Sequence, residues 1–377
     1  APSTPIEEIV ASVFVEVLGV ERVGADDDFF ALGGNSLLAT QVAARIGAAL
    51  DTRVPVRTIF EASTVATLAV KVERGTGERK RTPLVAGPRP DRIPLSPAQQ
   101  RMWFLNQFDT SASVYNIPAA IRLSGDLDVA ALRHAVADLV ARHEILRTIY
   151  PETPDGPVQR VLAPHEVTVD LALAQIGDEH VAGDVQRIVA AGFDVTVDVP
   201  FRAKLFQLAA TEYVLVFVAH HISADGWSMG PLTRDLMLAY VARSGGQEPS
   251  WAPLPIQYAD YTLWQRDALG ADDDPESLAG AQLAYWTTEL ADLPDELDLP
   301  ADRPRTSAQS FAGGTIDFVV DADVHAALAE LARRHNATLF MVVHAAFAVF
   351  SARLSGAEDI AIGTPVAGRG EAELDDL

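Results

Sequence analysis

Two short stretches of the sequence hold side chains whose type and spacing could do chemistry. The first is residues 220–226, HHISADG, which directly follow an apolar run at residues 213–219. Such a run predicts a buried strand, in which neighbouring side chains point to opposite faces. We therefore expect one histidine of the pair to face a site and the other to pack behind it. A histidine facing the site is a candidate general base.

The second stretch ends in Ser36, which follows Gly33 and Gly34 and opens a predicted helix at residues 36–50. The glycines permit a tight, exposed turn. A serine at a helix start could simply cap the helix. It could also be a modification site that carries an anionic group, because helix N-termini favour anions. Spacing alone leaves both interpretations open.

Two further chemical interpretations of this region are disfavoured. His220 and His221 should not reach one metal ion, and no third ligand stands at metal spacing, so we predict no metal site. Residues 226–230 match G-x-S-x-G, the nucleophile elbow of α/β-hydrolases, with Ser228 as the nucleophile. An elbow should follow its strand immediately, whereas the predicted strand ends at the histidine pair. The hydrolase interpretation therefore has little support.

Composition excludes several classes of function. The chain has 377 residues, 52 acidic and 29 basic side chains, and a net charge of −23, which disfavours nucleic acid binding. It contains no cysteine, which excludes disulfides, thiolate nucleophiles and cysteine zinc sites. No stretch reaches the roughly 18 apolar residues of a membrane span, and the first residues do not resemble a signal peptide. We therefore expect no membrane partner and a cytoplasmic location.

The elements that must position these groups fall into three segments. Residues 4–19 predict a helix with a capping box at Thr4 and Glu7, and further helices complete an all-helical domain that ends near residue 73. Residues 74–92, rich in glycine, proline and basic side chains, predict a solvated linker. From residue 93 onward strands and helices mix, which predicts an α/β or α+β body in two lobes. Strands are predicted at 201–208, 213–219, 315–320 and 359–363. Helices are predicted at 132–140, with Asp128 as its cap, and at 324–334 and 339–354.

Residues 28–37, DFFALGGNSL, resemble the signature of peptidyl carrier domains, and the helix order over residues 1–73 fits that family. The resemblance implies a small, four-helix, all-α domain whose Ser36 carries 4′-phosphopantetheine. It also implies a phosphopantetheinyl transferase as the enzyme that attaches this group. Asn35 stands where many peptidyl carriers have histidine or aspartate, a variation that we expect to affect partner preference more than attachment.

The HHxxxDG pattern and four companion segments resemble the core motifs of condensation domains of nonribosomal peptide synthetases. The companions occur in the order of that family over residues 93–377. They are residues 96–103 (SPAQQRMW), 142–148 (RHEILRT), 258–261 (YADY) and 362–369 (IGTPVAGR).

This second resemblance implies a two-lobed α/β fold similar to chloramphenicol acetyltransferase, with a tunnel in which a thioester meets an amine beside His221. It implies catalytic roles for His221 and for Gly226, which would let the backbone approach the reacting groups. His220, Asp225 and Arg147 would support the site, with a salt bridge between Asp225 and Arg147. Whether His221 acts as a base or as a positioning group stays open.

The order of the segments adds expectations about partners. We expect a carrier domain at residues 1–73, a linker at 74–92 and a condensation domain at 93–377, with lobes at about 93–265 and 266–377. The second lobe would be incomplete. A carrier that precedes a condensation domain is the donor in this family. The resemblance therefore implies an adenylation domain upstream and an acceptor carrier domain downstream.

Three alternative functions share parts of this pattern. An epimerisation domain would also follow a carrier and hold HHxxxDG, but the glutamate motif EGHGRE of that family is missing from the sequence. A heterocyclisation domain would have aspartates in place of His220 and His221, so it is excluded. A non-catalytic platform that recruits partners stays open, although the intact histidine pair disfavours it.

Overall fold

The structure is a computed structural model, and it describes residues 2–52, 54–75, 83–294, 296–303, 314–335, 337–364 and 368–377. Contacts divide the chain into two units. The first unit contains residues 1–83 and 272–372, and the second contains residues 84–271 and 373–377. The predicted basic run at residues 79–81 and part of the motif at 362–369 lie outside the described residues.

Helices dominate the first unit, and the second mixes helices with strands. The helices are α1 (Pro5–Leu18), α2 (Ser36–Ala49), α3 (Val56–Glu61), α4 (Val65–Gly75), α5 (Pro97–Phe108), α6 (Val129–Arg142), α7 (Asp178–Val189), α8 (Met229–Ser244), α9 (Tyr258–Leu269), α10 (Leu278–Glu289), α11 (Ala322–Arg334) and α12 (Leu339–Ser355). Short 3-10 helices lie at Glu144–Arg147, Pro164–Glu166 and Ala372–Leu374. The strands are β1 (Ile93–Pro94), β2 (Asn116–Ser124), β3 (Thr148–Ile149), β4 (Glu152–Thr153), β5 (Gly156–Val161), β6 (Leu173–Gln175), β7 (Phe201–Ala209) and β8 (Glu212–His220).

The first four helices form the predicted all-helical domain. The capping box of α1 is confirmed, because the backbone N–H of Glu7 donates to Thr4 Oγ1 at 3.1 Å and Glu7 Oε2 accepts from the Thr4 backbone at 3.3 Å. Gly19 ends this helix in the left-handed conformation, with φ 65°. The core is apolar and takes side chains from all four helices, with Phe14 fully buried. Phe29, from the loop before α2, packs 5.1 Å from the Phe14 ring and anchors that loop in the core.

The first unit also contains α10, α11 and α12. The last two confirm the helices predicted at 324–334 and 339–354. The strands predicted at 315–320 and 359–363 are wrong, because the described residues there form no strand. A strand needs neighbours for its backbone N–H and C=O groups, and no described segment pairs with these. Ile316 and Phe318 are accordingly 90% and 85% exposed.

Within the described residues, no single helix has the length and apolar composition needed to cross a membrane. Helices α11 and α12 reach that composition only when they are taken together across a bend of 104°.

The main sheet of the second unit has the strand order β2-β8-β7-β6, so β8 is a central strand. It pairs antiparallel with β2 and β7, and the strands predicted at 201–208 and 213–219 are confirmed. Residues of α6 and α8 cover one face of the sheet, and residues of α5 and α7 pack on the other. Since both faces are covered, β8 is buried over nearly its whole length, which explains its continuous apolar sequence.

The second half of the predicted linker packs against the second unit instead of remaining solvated. Leu84 is 1% exposed and lies in an apolar cluster with Ile256. Arg89 donates two hydrogen bonds to the carboxylate of Asp260, at 2.8 and 2.9 Å. The prediction that this segment buries little is wrong here, because composition does not reveal partners more than a hundred residues away.

Candidate functional site

The predicted histidine pair lies at the end of β8. His220 is the last residue of the strand and is 1% exposed, whereas His221 is exposed. The backbone N–H of His221 donates to the carbonyl of Tyr115 at 2.8 Å, which extends the ladder between β2 and β8. The two imidazoles therefore have opposite environments, in agreement with the alternation of side chains along a strand. The described residues contain no cluster of three or more metal-ligating side chains.

His220 supports the turn that follows it. Its Nδ1 accepts a hydrogen bond from the backbone N–H of Ile222 at 3.1 Å, and its ring meets the ring of Phe193 edge to face, 6.0 Å between centroids. Burial is the main cause that lowers the pKa of His220 to about 4, and the charges of His221 and Arg202 contribute. The ring is therefore neutral near neutral pH and is not placed to exchange protons with a substrate.

Asp225 and Ser228 form a closed turn just before α8. Asp225 Oδ1 accepts from the backbone N–H of Ser228 at 2.9 Å and from its hydroxyl at 2.8 Å, while the Asp225 backbone N–H donates to Ser228 Oγ at 3.0 Å. The serine of the hydrolase pattern thus serves the loop structure. Gly226 is exposed in this turn, and a Cβ placed there would meet no atom within 4 Å. The space beside Gly226 is open to an approaching group.

Arg147 does not form the salt bridge with Asp225 that the family resemblance implied. The Arg147 guanidinium donates to the carbonyl of Leu162 and lies 3.7 Å from the carboxylate of Glu144. Arg147 and Asp225 both lie in the described part of the chain, and no ion pair joins them. The pairing of β3 with β5 accounts for the contact with Leu162. This pairing extends by one more residue pair, because the backbone N–H of Leu162 donates to the Arg147 carbonyl at 3.0 Å. That pairing brings the Leu162 carbonyl within reach of the guanidinium. Burial lowers the pKa of Arg147.

Asn116 lies at this site, although the sequence did not assign it there. It stands opposite His220 in the register of β2 and β8. Its amide nitrogen donates to the carbonyls of Val189 and Ala191, at 2.8 and 2.9 Å. The sequence alone predicts no strand at residues 116–124, and the strand register was needed to identify the partner of Asn116.

The loop before α2 is a second candidate site, and it stands on a fixed base. Asp28 Oδ1 accepts from two backbone N–H groups of the loop, both at 2.9 Å, and the Ser63 hydroxyl donates to the same carboxylate. The backbone N–H of Gly34 donates to the carbonyl of Phe29 at 2.9 Å. A Cβ at Gly34 would come within 2.5 Å of the Phe29 ring and carbonyl, so this close approach requires glycine.

Asn35 rather than Ser36 caps α2, because the backbone N–H of Leu38 donates to Asn35 Oδ1 at 3.0 Å. Ser36 is the first residue of the helix, and its side chain lies outside the described part of the structure. Since its neighbour supplies the cap, the helix does not need the serine hydroxyl. Gly33 and Asn35 are exposed, and the helix start favours an anion. These residues fit a phosphodiester-linked group on Ser36.

Comparisons with known proteins match two families along the chain. Residues 8–70 match the phosphopantetheine attachment site family, and residues 90–377 match the Condensation domain family. The chain is 48% identical over its whole length to CymA of Salinispora arenicola, a probable nonribosomal peptide synthetase, and 45% identical over its whole length to the dimodular nonribosomal peptide synthase of Bacillus subtilis. It spans only 5% and 16% of the lengths of these two relatives.

Among solved structures, the chain is similar to a complex of the X-domain and OxyB from teicoplanin biosynthesis. The TM-score is 0.70 and the sequence identity 37%, and the match covers 74% of this chain and 61% of that one. The two family matches lead to one assignment. The chain belongs to the Condensation domain family and carries a phosphopantetheine attachment domain ahead of its condensation domain.

Proposed function

We propose that this chain holds an acyl group on 4′-phosphopantetheine at Ser36 and joins such groups to amines at His221, as a donor carrier with its condensation domain. The observation that carries the proposal is the division of labour in the histidine pair. His221 is exposed and its backbone is held by the Tyr115 carbonyl, while His220 is buried and neutral behind it.

The proposed chemistry makes modest demands on the protein. When bound, the arm supplies a thioester, whose carbonyl carbon is already activated toward amines. His221 would accept the proton that the amine loses as the C–N bond forms, and return it to the departing thiolate as the C–S bond breaks. His221 could instead orient the amine or stabilise developing charge. Holding both reactants beside this side chain would supply much of the rate enhancement by proximity.

The other residues of the site would act through the loop. Asp225 fixes the turn through Ser228, so its proposed role is to hold His221 and Gly226 in register. Gly226 would allow a substrate to pass close to the backbone, in line with the open space around it. Arg147, anchored at Leu162, would support the base of the lobe and not the loop itself.

An amide-formation assay tests the proposal. The chain is loaded at Ser36 from an aminoacyl coenzyme A by a phosphopantetheinyl transferase, then mixed with a small aminoacyl thioester as acceptor. We expect product with the wild-type chain and a loss of at least about 100-fold with His221→Ala, the lower end of the usual effect of a general base. Ser124→Ala, whose hydroxyl makes only an exposed bond to Glu212, is the control and should retain product. Full activity of His221→Ala, or no amide from a loaded wild-type chain, would contradict the proposal.

Attachment is tested separately by intact mass. Treatment with a phosphopantetheinyl transferase and coenzyme A should add a single arm to the wild-type chain and none to Ser36→Ala. No added mass on a folded wild-type chain would remove the donor-carrier assignment and leave the His221 site to stand alone.

The partners follow from the order of the two domains. An adenylation domain upstream would supply the aminoacyl group, and an acceptor carrier domain downstream would present the amine. We propose a carrier at residues 1–73, with the condensation domain starting near residue 93 but braced by the preceding segment. The proposed location is the cytoplasm, where coenzyme A and the transferase would be available.

A recruitment platform is a second candidate, supported by the similarity to an X-domain that forms a complex with OxyB. Binding of a partner protein would not require the imidazole of His221. Retained binding of a partner protein by His221→Ala, with no amide formed by any variant, would favour recruitment. An epimerisation activity would instead show as inversion of the loaded aminoacyl group, detected by chiral analysis after hydrolysis of the arm.

A further inference from the structure

Two buried polar atoms belong to residues that face each other across β2 and β8. They are Nε2 of His220 and Oδ1 of Asn116, and neither has a hydrogen-bond partner among the described residues. Buried polar atoms are nearly always hydrogen-bonded to protein or to ordered water. Two such atoms in one place therefore need an explanation.

The strand register brings these side chains together. Asn116 and His220 are directly opposite, and the next pair along, Tyr115 and His221, is joined by a backbone hydrogen bond. In an antiparallel ladder, hydrogen-bonded and non-hydrogen-bonded pairs alternate. Asn116 and His220 are thus a non-hydrogen-bonded pair, with side chains on the same face and Cβ atoms about 4.5–5.5 Å apart.

The hydrogen bonds of each residue decide which atom donates. Because His220 Nδ1 accepts from the Ile222 backbone, the neutral ring carries its proton on Nε2, which is a donor. The amide nitrogen of Asn116 is committed to the carbonyls of Val189 and Ala191, so Oδ1 is its remaining acceptor. A buried donor and a buried acceptor on directly opposite residues are therefore both unpaired, and one water molecule could bond to both.

Arg202, whose charge acts on His220, does not fill that role. Its guanidinium lies 3.5 Å from the centroid of the Phe193 ring and donates to the carbonyls of Ala191 and Gly192. The rings of Phe193 and Tyr115 flank His220, at 6.0 and 6.3 Å between centroids. The nearby carbonyls of Ala191 and Gly192 are already bonded to Arg202, and one donor and one acceptor remain beside the two rings, which favours a single water over an ion.

We propose that Asn116 and His220 share one buried water molecule and together act as the positioning element of His221. The Tyr115 carbonyl that holds the His221 backbone directly precedes Asn116, and the Ile222 N–H that His220 holds directly follows His221. The backbone N–H groups of His221 and Ile222 are thus held by Tyr115, which precedes Asn116, and by His220. A link between Asn116 and His220 would therefore set where the imidazole of His221 lies. The water site stands on the structure alone, whereas the positioning role rests on the proposed function.

The water site is tested by the tautomer and exchange of His220. In the chain labelled with ¹⁵N-histidine, long-range ¹H–¹⁵N spectra should show His220 as the neutral Nε2–H tautomer, with a cross-peak from that proton to a bound water. His220→Gln identifies the signal by its loss. Asn116→Leu should remove the water cross-peak and speed the exchange of the Nε2 proton. A charged ring near neutral pH, an Nδ1–H tautomer, or a water peak unchanged by Asn116→Leu would overturn the site.

The positioning role is tested by two substitutions that each keep one half of the imidazole. His220→Gln places an amide N–H near the position of Nε2, and His220→Asn places an oxygen near the position of Nδ1. We expect His220→Gln to retain most amide formation, and His220→Asn and Asn116→Leu each to lose roughly tenfold, the effect of displacing a catalytic group by a fraction of an ångström. Ser124→Ala, at the far end of β2 with its exposed bond to Glu212, is the control and should retain full activity.

The combination of variants separates the possible failures. Asn116→Leu should add little to His220→Asn, because both break the same link. Retained activity in His220→Asn with loss in His220→Gln would show that only the Ile222 bond matters and would overturn the role of Asn116. If His221→Ala is fully active, the proposed function and the positioning role both fail, and the spectra still decide the water site.

Discussion

The backbone N–H of Leu38 donates to the side-chain oxygen of Asn35 at 3.0 Å, so the residue before Ser36 is the cap of α2. The backbone N–H of Ala39 also donates to the Asn35 carbonyl, at 2.9 Å. One residue thus supports the helix start, and the proposed modification of the adjacent serine would not remove this cap. Stability and attachment are therefore separable by substitution at neighbouring positions.

Asn35→Ala should lower the free energy of unfolding of the carrier domain by about 1 kcal/mol, the usual cost of losing an N-cap. Ser36→Ala should change it by less than about 0.5 kcal/mol, because it removes no cap. Thermal unfolding measures both. The mass assay should show the reverse order, with attachment abolished only by Ser36→Ala. Equal destabilisation by the two substitutions would contradict the assignment of the cap.

Gly34→Ala should destabilise the loop before α2 more than Gly33→Ala does. The new Cβ of Gly34→Ala would stand 2.5 Å from Phe29, which is fully buried, so the core or the loop must shift, at a cost of roughly 1–3 kcal/mol. A Cβ at Gly33 meets nothing within 4 Å, although its φ of 99° adds some strain. Denaturant unfolding and the rate of attachment should both rank Gly34→Ala as worse. The opposite ranking would show that backbone strain, not the Phe29 contact, limits the loop.

Local rules of sequence predicted the helix ends well. The capping box at Thr4 and Glu7 and the cap at Asp128 both form, because each depends on residues within three positions. The opposite environments of His220 and His221 were also predictable, since alternation along a strand is local. These features need no knowledge of the rest of the fold.

Features that depend on distant partners were not predictable in the same way. An apolar run such as residues 315–320 has strand composition, but a strand exists only where a neighbour supplies hydrogen bonds. Leu84 is buried in a cluster with Ile256, and Arg89 pairs with Asp260, which lies 171 positions later in the sequence. The role of Asn116 depends on strand register, which no pattern in its own segment specifies.

The carboxylate of Asp235 is a buried support for the helix that follows the site loop. It accepts hydrogen bonds from Arg142 at 2.7 Å, His143 at 2.9 Å and Arg234 at 2.9 Å, and is 1% exposed. Burial alone would raise the pKa of Asp235, but these hydrogen bonds outweigh it and the pKa is lowered. Asp235→Asn should therefore cost about 3–5 kcal/mol, because it leaves the buried guanidinium of Arg142 uncompensated.

A second aspartate on the same arginine is the matched control for this substitution. Asp376 pairs with Arg234 at 2.6 Å but is 48% exposed, so Asp376→Asn should cost at most about 1 kcal/mol. Denaturant unfolding of both variants measures the difference. Similar costs for the two would show that burial does not determine the strength of this cluster.

Arg89→Lys should loosen the segment that precedes the condensation domain. A lysine cannot make the two parallel hydrogen bonds that Arg89 makes to Asp260, which is 4% exposed, so we expect a loss of roughly 1–3 kcal/mol. Arg92→Lys is the control, because its pair with Asp155 is exposed on both sides. Limited proteolysis should cut the Arg89→Lys chain faster near residues 83–92. Equal cutting of both variants would show that the segment is held by Leu84 alone.

The buried ring of His220 predicts a specific dependence of stability on pH. Its pKa is about 4 in the folded chain and near 6.5 when unfolded, so between these values the unfolded state binds more protons. The contribution of His220 to the free energy of unfolding is therefore fully present above about pH 6.5. It falls as the pH drops toward about 4, by about 3 kcal/mol in total. Denaturant unfolding at about pH 7 and about pH 5 should show a larger drop for the wild-type chain than for His220→Gln, whose side chain does not titrate. Other histidines and carboxylates contribute equally to both chains, so the difference isolates His220. Equal drops would mean that the imidazole is accessible to protons. They would contradict the assignment of a neutral His220 ring behind His221.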